Sequence, residues 1–345
     1  MLDLKQPGSN PMQLAVTVMS DSSESTLQRI NVDKQVSEAV LSPDAKTMAF
    51  VTRGEIFVRS MDEGRPTRRV TTTPWRERDL AWSPDGRVLY FSSDEPGVYA
   101  IYQATVRLTR EETQPKASPK PSEPADGPVA ASEPGAAADE PAEEKRIAAD
   151  GADMKPDSSQ KKSDSKPDAK PDHGKRWAEA ILFDVQQVIS GEDADCRRPV
   201  LSPDGKRMLY IRGRGDLVHR DVASGAERVL LSGWDEPDVI WAGDSRHIIY
   251  SVSDLDYNSD LWLMDVDAAE PGGAVNLTNH PDTDVSPRLS ADGKVLTFLS
   301  ERAGENGEFD VWQLFLDKKL EGMKAYELDE YFKKGAEAAG KRKPL

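Results

Sequence analysis

Cysteine is almost absent: the 345 residues contain one, Cys196. A single thiol excludes a disulfide framework and a cysteine-based metal cluster, and it permits a reducing compartment. No run approaches the roughly 18 apolar residues that span a bilayer, so no membrane partner is expected. The first residues, "MLDLKQPGSNPMQLAV", lack the basic-then-apolar order of a secretory signal. The expected location is the cytoplasm, or the periplasm if a signal lies upstream. Basic residues are outnumbered 45 to 61, giving a formal charge of −16 and a pI near 4.8. That balance sets nucleic acid aside, because phosphate backbones are held by clustered Lys and Arg. No cofactor motif is present, and none is expected to bind.

Aromatic residues are missing altogether from Gln103 to Arg176, where the chain runs through "KASPKPSEPADGPVAASEPGAAADEPAEEK" and "KPDSSQKKSDSKPDAKPDHGK". Pro, Ala, Ser and charged residues offer too little to bury to offset their ordering entropy. Residues 108–176 are therefore expected to be a disordered insertion, a tether or mobile rim loop rather than a docking motif. Residues 1–107 and 177–320 flank it as two parts of one fold, and 321–345 follow as a helical connector.

With the insertion set aside, a repeat is plain. Asp44, Asp85, Asp204, Asp244 and Asp292 each sit in a turn such as "LSPDGK", with steps of 41, 119, 40 and 48 residues. The long step is one ordinary period plus the insertion and its flanks. Three residues before each Asp stands a large apolar residue (Leu41, Trp82, Leu201, Trp241, Leu289), and six after it an aromatic (Phe50, Phe91, Tyr210, Tyr250, Phe298). Periods near 40 mark propeller blades or helical pairs.

The runs after each turn decide between them. "RVLYFSS", "RMLYIRG", "HIIYSVS" and "VLTFLSE" are short, rich in β-formers and closed by polar residues or glycine. The predicted fold is all-β, a β-propeller of four-stranded antiparallel blades. It has five clear repeats and a partial N-terminal blade in "MLDLKQPGSNPMQLAVTVMSD", as though the chain began within a propeller. The recurrent Asp is read as a hairpin corner, where Pro fixes φ, Asp bonds the backbone two residues on, and Gly supplies a positive φ.

These repeats, with "LSPDGKRMLY" and "SDLWLMDV", resemble the WD40-like propeller repeats of TolB, of prolyl-oligopeptidase-type proteins and of tricorn proteases. The ending "FDVWQLFLDKKLEGMKAYELDEYFKKGAEAAGKRKPL", "VTTTPWRERDLAWSPDGRVLYFSSDEPGVYAIYQ" and the acidic Pro-rich insertion are similar to tricorn-type proteases. That resemblance implies a large, cytosolic, self-assembling serine peptidase whose propellers gate and bind peptide substrates. Its partners would be peptides, further copies of the chain, and a PDZ module and peptidase core encoded downstream of Leu345. A stand-alone TolB-like propeller that scaffolds protein partners is the alternative.

Catalytic residues are not expected within the chain. His173 falls in the insertion, His219 in a third strand, His247 at the start of a second strand and His280 at the end of a fourth, and no serine lies on a GxSxG elbow. "DLDYNSD" places Asp254, Asp256, Asn258 and Asp260 at alternate positions, the spacing of a calcium loop. It lacks the Gly at position six and the Glu at twelve, so solvated turn chemistry is the stronger reading. The loops into the innermost strands carry Arg76, Arg78, Arg197 and Arg198 as candidate substrate-channel residues for peptide carboxylates. Asp79, Asp195, Asp238 and Asp284 would orient them, or all eight form blade-to-blade ion pairs. Finally, Tyr326, Leu328, Tyr331 and Phe332 stripe a predicted helix of about four turns.

Overall fold

The computed structural model describes residues 31–32, 34–113, 173–268, 273–302 and 307–339. The expected N-terminal part-blade and the body of the expected insertion lie outside these residues. Blade 1 comprises β1 (Val36–Leu41), β2 (Thr47–Thr52), β3 (Glu55–Ser60) and β4 (Arg68–Arg69). Blade 2 comprises β5 (Glu77–Trp82), β6 (Val88–Ser93), β7 (Ala100–Thr109) and β8 (Ala180–Ile189), with α1 (Arg110–Thr113) and α2 (His173–Ala178) between the last two. Blade 3 holds β9 (Cys196–Leu201), β10 (Arg207–Arg212), β11 (Asp216–Asp221) and β12 (Glu227–Leu231). Blade 4 holds β13 (Asp238–Trp241), β14 (His247–Ser253), β15 (Ser259–Asp265) and β16 (Val275–Asn276). Blade 5 has β17 (Asp284–Leu289), β18 (Val295–Ser300) and β19 (Asp310–Phe315), followed by α3 (Lys318–Glu321) and α4 (Ala325–Ala339). Each blade is an antiparallel meander, four-stranded in blades 1 to 4 and three-stranded among the described residues in blade 5.

The five Asp turns close the first hairpin of every blade. In four of them the serine two residues earlier (Ser42, Ser83, Ser202, Ser290) donates its hydroxyl to the Asp Oδ1 at 2.6–2.7 Å. In all five that Oδ1 also accepts the backbone N–H two residues on, at 3.0–3.3 Å. The next residue has φ between 56° and 74°, as Gly in three turns and as Ala45 and Ser245 in the others. Blade 4 has Ala242 in the serine's place, and there His247 N–H donates to Asp244 instead, at 2.9 Å.

The repeated aromatic sets how blades stack. Phe91 packs with Val51 and Ile56 of blade 1, Tyr210 with Tyr90 and Ile101 of blade 2, Tyr250 with Leu209 and Leu217 of blade 3, and Phe298 with Ile249 and Leu261 of blade 4. Each therefore faces the preceding blade, joined by the residue three before the turn: Trp82, Leu201, Trp241 or Leu289. The core is thus a series of seams between blades rather than one centre, since a lone meander cannot bury either of its faces.

The ordered chain continues past both expected edges of the insertion. β7 and β8 each extend to ten residues, and α2 seats Trp177 between blades 1 and 2. Its indole meets Trp82 edge-on at 4.9 Å, stacks on Phe183 at 5.5 Å and donates Nε1–H to Gly86 O at 2.9 Å. Gly174 lies so close to blade 1 that a Cβ would come within 2.7 Å of Asp44 Oδ2. Lys175–Glu111 (2.6 Å), Arg176–Glu112 (2.7 Å) and Arg110 N–H to Glu179 O (3.0 Å) tie the two sides of the stem together. At the C-terminus, α4 forms as expected and its Tyr331 hydroxyl donates to Asp292 of the blade 5 turn.

Candidate functional site

A meander that starts each innermost strand at one end places two sets of loops there: those joining successive blades, and the hairpins between second and third strands. Hydrogen bonds weave the sets into one rim. Asp94 Oδ1 accepts Arg76 N–H at 2.7 Å, Asp195 Oδ1 accepts Tyr99 N–H at 2.9 Å, and Asp235 Oδ2 accepts the Ser253 hydroxyl at 2.9 Å. Gly215 sits so close to this weave that a Cβ would lie 2.2 Å from Asp235 O.

Along the inner edge of the rim one register position reaches the next blade in blades 1, 2 and 3. Glu38 accepts the N–H groups of Asp79 and Leu80 at 2.8 and 2.7 Å, Asp79 Oδ2 accepts Arg198 N–H at 3.2 Å, and the Arg198 guanidinium contacts Asp238 Oδ1 at 3.4 Å. β-Bulges make this reach, with Asp79, Arg198 and Ser286 at φ 57°, 52° and 56°. Arg197 donates to Gly213 O at 2.7 Å and pairs with Glu236 at 2.9 Å. Arg78 pairs with Asp79 at 3.2 Å and lies over the Tyr99 ring, Arg76 is exposed, and buried Asp284 pairs with Arg302. Of the four arginines proposed from sequence for the channel, three thus engage groups of their own chain.

Glu77, the first residue of β5, is a buried carboxyl at 3% exposure. Its oxygens meet Thr71 Oγ1 at 3.0 Å and Thr73 Oγ1 at 2.8 Å, while Thr71 Oγ1 also lies 3.1 Å from Glu55 Oε2. One hydroxyl carries one proton and cannot donate to both carboxylates. A proton on Glu77 satisfies the chain, with Glu77 donating to Thr71 and Thr71 to Glu55, whose charge Arg69 holds. Burial first, then the Glu55 and Asp94 charges, push the Glu77 pKa up to about 7.

Of the four residues with calcium-loop spacing, three share a cleft and Asp256 stands outside it. Asp254 Oδ1 accepts the N–H groups of Asp256 and Asn258, both at 2.9 Å, and so serves the turn. Asp260 receives Asn276 Nδ2, Thr278 Oγ1 and His280 N at 2.8–3.1 Å. Asp254, Asn258 and Asp260 line a cleft of about 360 Å³ with Tyr250, Val252 and Trp262, and Asp256 stands outside it. Among the described residues no group of three or more His, Cys, Asp or Glu side chains is placed to hold a metal.

The same rim exposes apolar residues that the sequence did not single out. Trp75 is 41% and Trp234 48% exposed, while Leu255 and Tyr257 on the blade 4 hairpin are 87% and 78% exposed. Trp75 and Trp234 share a register, ten residues before the turn aspartate of their blades, and that coincidence was the readable signal. Trp234 meets Tyr257 edge-to-face at 5.7 Å.

The ring contacts of His247 and His280 are with Asp residues of their own turns. His247 Nδ1 contacts Asp244 at 2.6 Å, and His280 accepts Asp282 N–H on Nδ1. His219 is held below the ordinary imidazole range by burial and by Arg207 and Arg228. His280 lies in the loop after β16 rather than at a strand end, since β16 stops at Asn276. His173, expected in the insertion, begins α2, and its Nε2 accepts from Arg87 Nε at 3.0 Å.

No protein-family model matches the sequence, and no curated protein matches it. Solved structures do. A putative TolB from Agrobacterium tumefaciens is 18% identical over 81% of either chain, with a TM-score of 0.47. TolB from Acinetobacter baumannii is 15% identical over 82% of this chain and 51% of its own, with a TM-score of 0.44. The β-propeller itself is read from the chain's own antiparallel blades.

Proposed function

We propose that this chain is a non-catalytic, protein-binding propeller whose loop-bearing rim is the docking face. The carrying observation is the set of exposed side chains Trp75, Trp234, Leu255 and Tyr257 on one rim. Large apolar residues concentrated on a rigid, hydrogen-bonded surface are the usual chemistry of interface anchors, Trp and Tyr above all. Several polar groups around them are already engaged within the rim, Asp94, Asp195 and Asp235 among them.

The test is differential capture. The immobilised protein is exposed to a lysate of its own source beside a Trp75→Ala/Trp234→Ala variant of equal melting temperature. Partners retained by the parent and lost by the variant support the reading; an identical set on both, or none on either, overturns it.

The finer reading, a propeller gating peptides for a tricorn-type serine peptidase, is favoured by one feature. Tyr326 and Phe332 of α4 remain exposed although the helix touches blade 5, as a helix with a second surface to meet would leave them. Co-purification of a peptidase that an Phe332→Ser variant fails to retain supports that reading, and retention unchanged by the substitution counts against it.

A further inference from the structure

We propose that the blade 4 lip of the rim, whose hairpin carries Asp254 and Asn258 of the cleft together with the exposed Tyr257, receives a lysine or arginine side chain from an extended partner segment. This rests on the protein-docking reading and names the chemistry of the partner.

The polar groups of the cleft are acceptors. Asp254 and Asp260 are carboxylates, and Asn258 has committed its donor, Nδ2, to His280 O at 2.8 Å. Its Oδ1 is buried with no hydrogen-bond partner among the described residues. No lysine or arginine among the described residues lies within ion-pair distance of Asp254, Asp256 or Asp260, whereas Glu236, Asp238 and Asp284 of the rim are paired with arginines. A donor-rich cation is what such a lining lacks.

The walls narrow the choice of cation. A bare metal ion is best held by several charged ligands together, and among the described residues no group of three or more His, Cys, Asp or Glu is so placed. A volume of about 360 Å³ walled by Tyr250, Val252 and Trp262 suits a charged head on an apolar stem. On the hairpin that carries Asp254 and Asn258, Tyr257 meets Trp234 edge-to-face and both rings stay exposed, offering the aromatic surface that attracts ammonium and guanidinium groups. Leu255 stands beside them for the stem or its neighbours. The lip is held in place beforehand: Tyr257 sits at φ 63°, Asp254 pins the hairpin through two N–H bonds, and Gly215 leaves the Trp234 loop no space to shift inward. With a net charge of −16, the protein also draws basic segments over longer range.

Capped, fluorescein-labelled Gly-Ser heptapeptides carrying two lysines, two acetyl-lysines or two glutamates are titrated against the whole protein by fluorescence polarisation. Calcium alone is titrated by calorimetry. The lysine peptide is expected to bind and to weaken with added salt. Trp234→Ala, Tyr257→Gly and Asp254→Asn, each of unchanged melting temperature, are expected to weaken it by about tenfold. Tyr257→Gly keeps a residue that accepts the left-handed backbone, and Asp254→Asn keeps the turn-pinning oxygen. The inference is overturned by lysine-peptide binding that is absent up to millimolar concentration, matched by the acetyl-lysine peptide, or indifferent to Trp234→Ala. Stoichiometric calcium binding removed by Asp254→Asn overturns it in favour of a metal. A captured partner lost with Trp75→Ala but kept with Trp234→Ala overturns this inference while sparing the docking reading.

Discussion

The indole Nε1–H of Trp241 donates across the seam between blades 4 and 3 to the carbonyl of Val200, at 3.1 Å. Trp82 repeats the bond one seam earlier but one, reaching Val40 O at 3.4 Å. A tryptophan three residues before the turn therefore fills the seam and also stitches neighbouring innermost strands. Trp241→Phe keeps most of the bulk and should cost about 1 kcal/mol for the lost bond. Trp241→Ala should cost about 3–5 kcal/mol, because it opens a cavity in the seam. Urea melts of both variants check this, and a Trp241→Phe variant as stable as the parent would show that the bond contributes nothing.

Glu77 predicts a pH response. Its pKa rises from 4.5 unfolded to about 7 folded, so the folded state holds the proton more tightly. Its contribution is least favourable above pH 7 and improves as pH falls from 7 towards 4.5. Glu77→Gln should raise stability at pH 8 by on the order of 1–3 kcal/mol and have little effect at pH 4.5. Melting temperatures at the two pH values check it; a variant less stable at pH 8 than the parent contradicts the buried-proton account.

Trp177 should be a stability determinant despite lying beside a stretch with nothing else to bury. Trp177→Ala removes its contacts with Trp82 and Phe183 and leaves Gly86 O without its donor. The expected loss is about 3–5 kcal/mol, read as a lower unfolding midpoint. A midpoint within error of the parent would mean that α2 rests on blades 1 and 2 without supporting them.

Peptide hydrolysis should be absent from the purified chain. Among the described residues, none of His219, His247 or His280 shares a hydrogen bond with a serine hydroxyl, and two of them face carboxylates instead. Fluorogenic peptides and a fluorophosphonate probe are expected to give no turnover and no label; turnover blocked by the probe would refute the prediction.

The turns and seams were legible because they recur. Five aspartates with an apolar residue three before and an aromatic six after specify both the hairpin and the direction each blade faces. Glu77 was not legible: within "TPWRERD" it reads as one charge among several, and only the packing of Thr71 and Glu55 around it creates the proton shortage. α2 was missed for the same reason, since six residues carry no helical period and Trp177 gains its meaning from blades 1 and 2. The partners that Arg197 and Arg198 find across the seams depend on β-bulges that no spacing rule reveals. Trp75 and Trp234 stood in one register, and that signal needed only the alignment already made.

The stem of blade 2 brings Arg110 N and Glu179 O within 3.0 Å of each other, so the chain leaves and rejoins the blade through a single gap. Closing such a gap depends only weakly on what spans it: each doubling of the span costs about 0.6 kcal/mol. The propeller is thereby indifferent to the length of polypeptide carried between Thr113 and His173. For protein engineering this is a ready graft point, where a linker of a few residues or a whole folded module with adjacent termini can be spliced in while the seams on either side stay as they are.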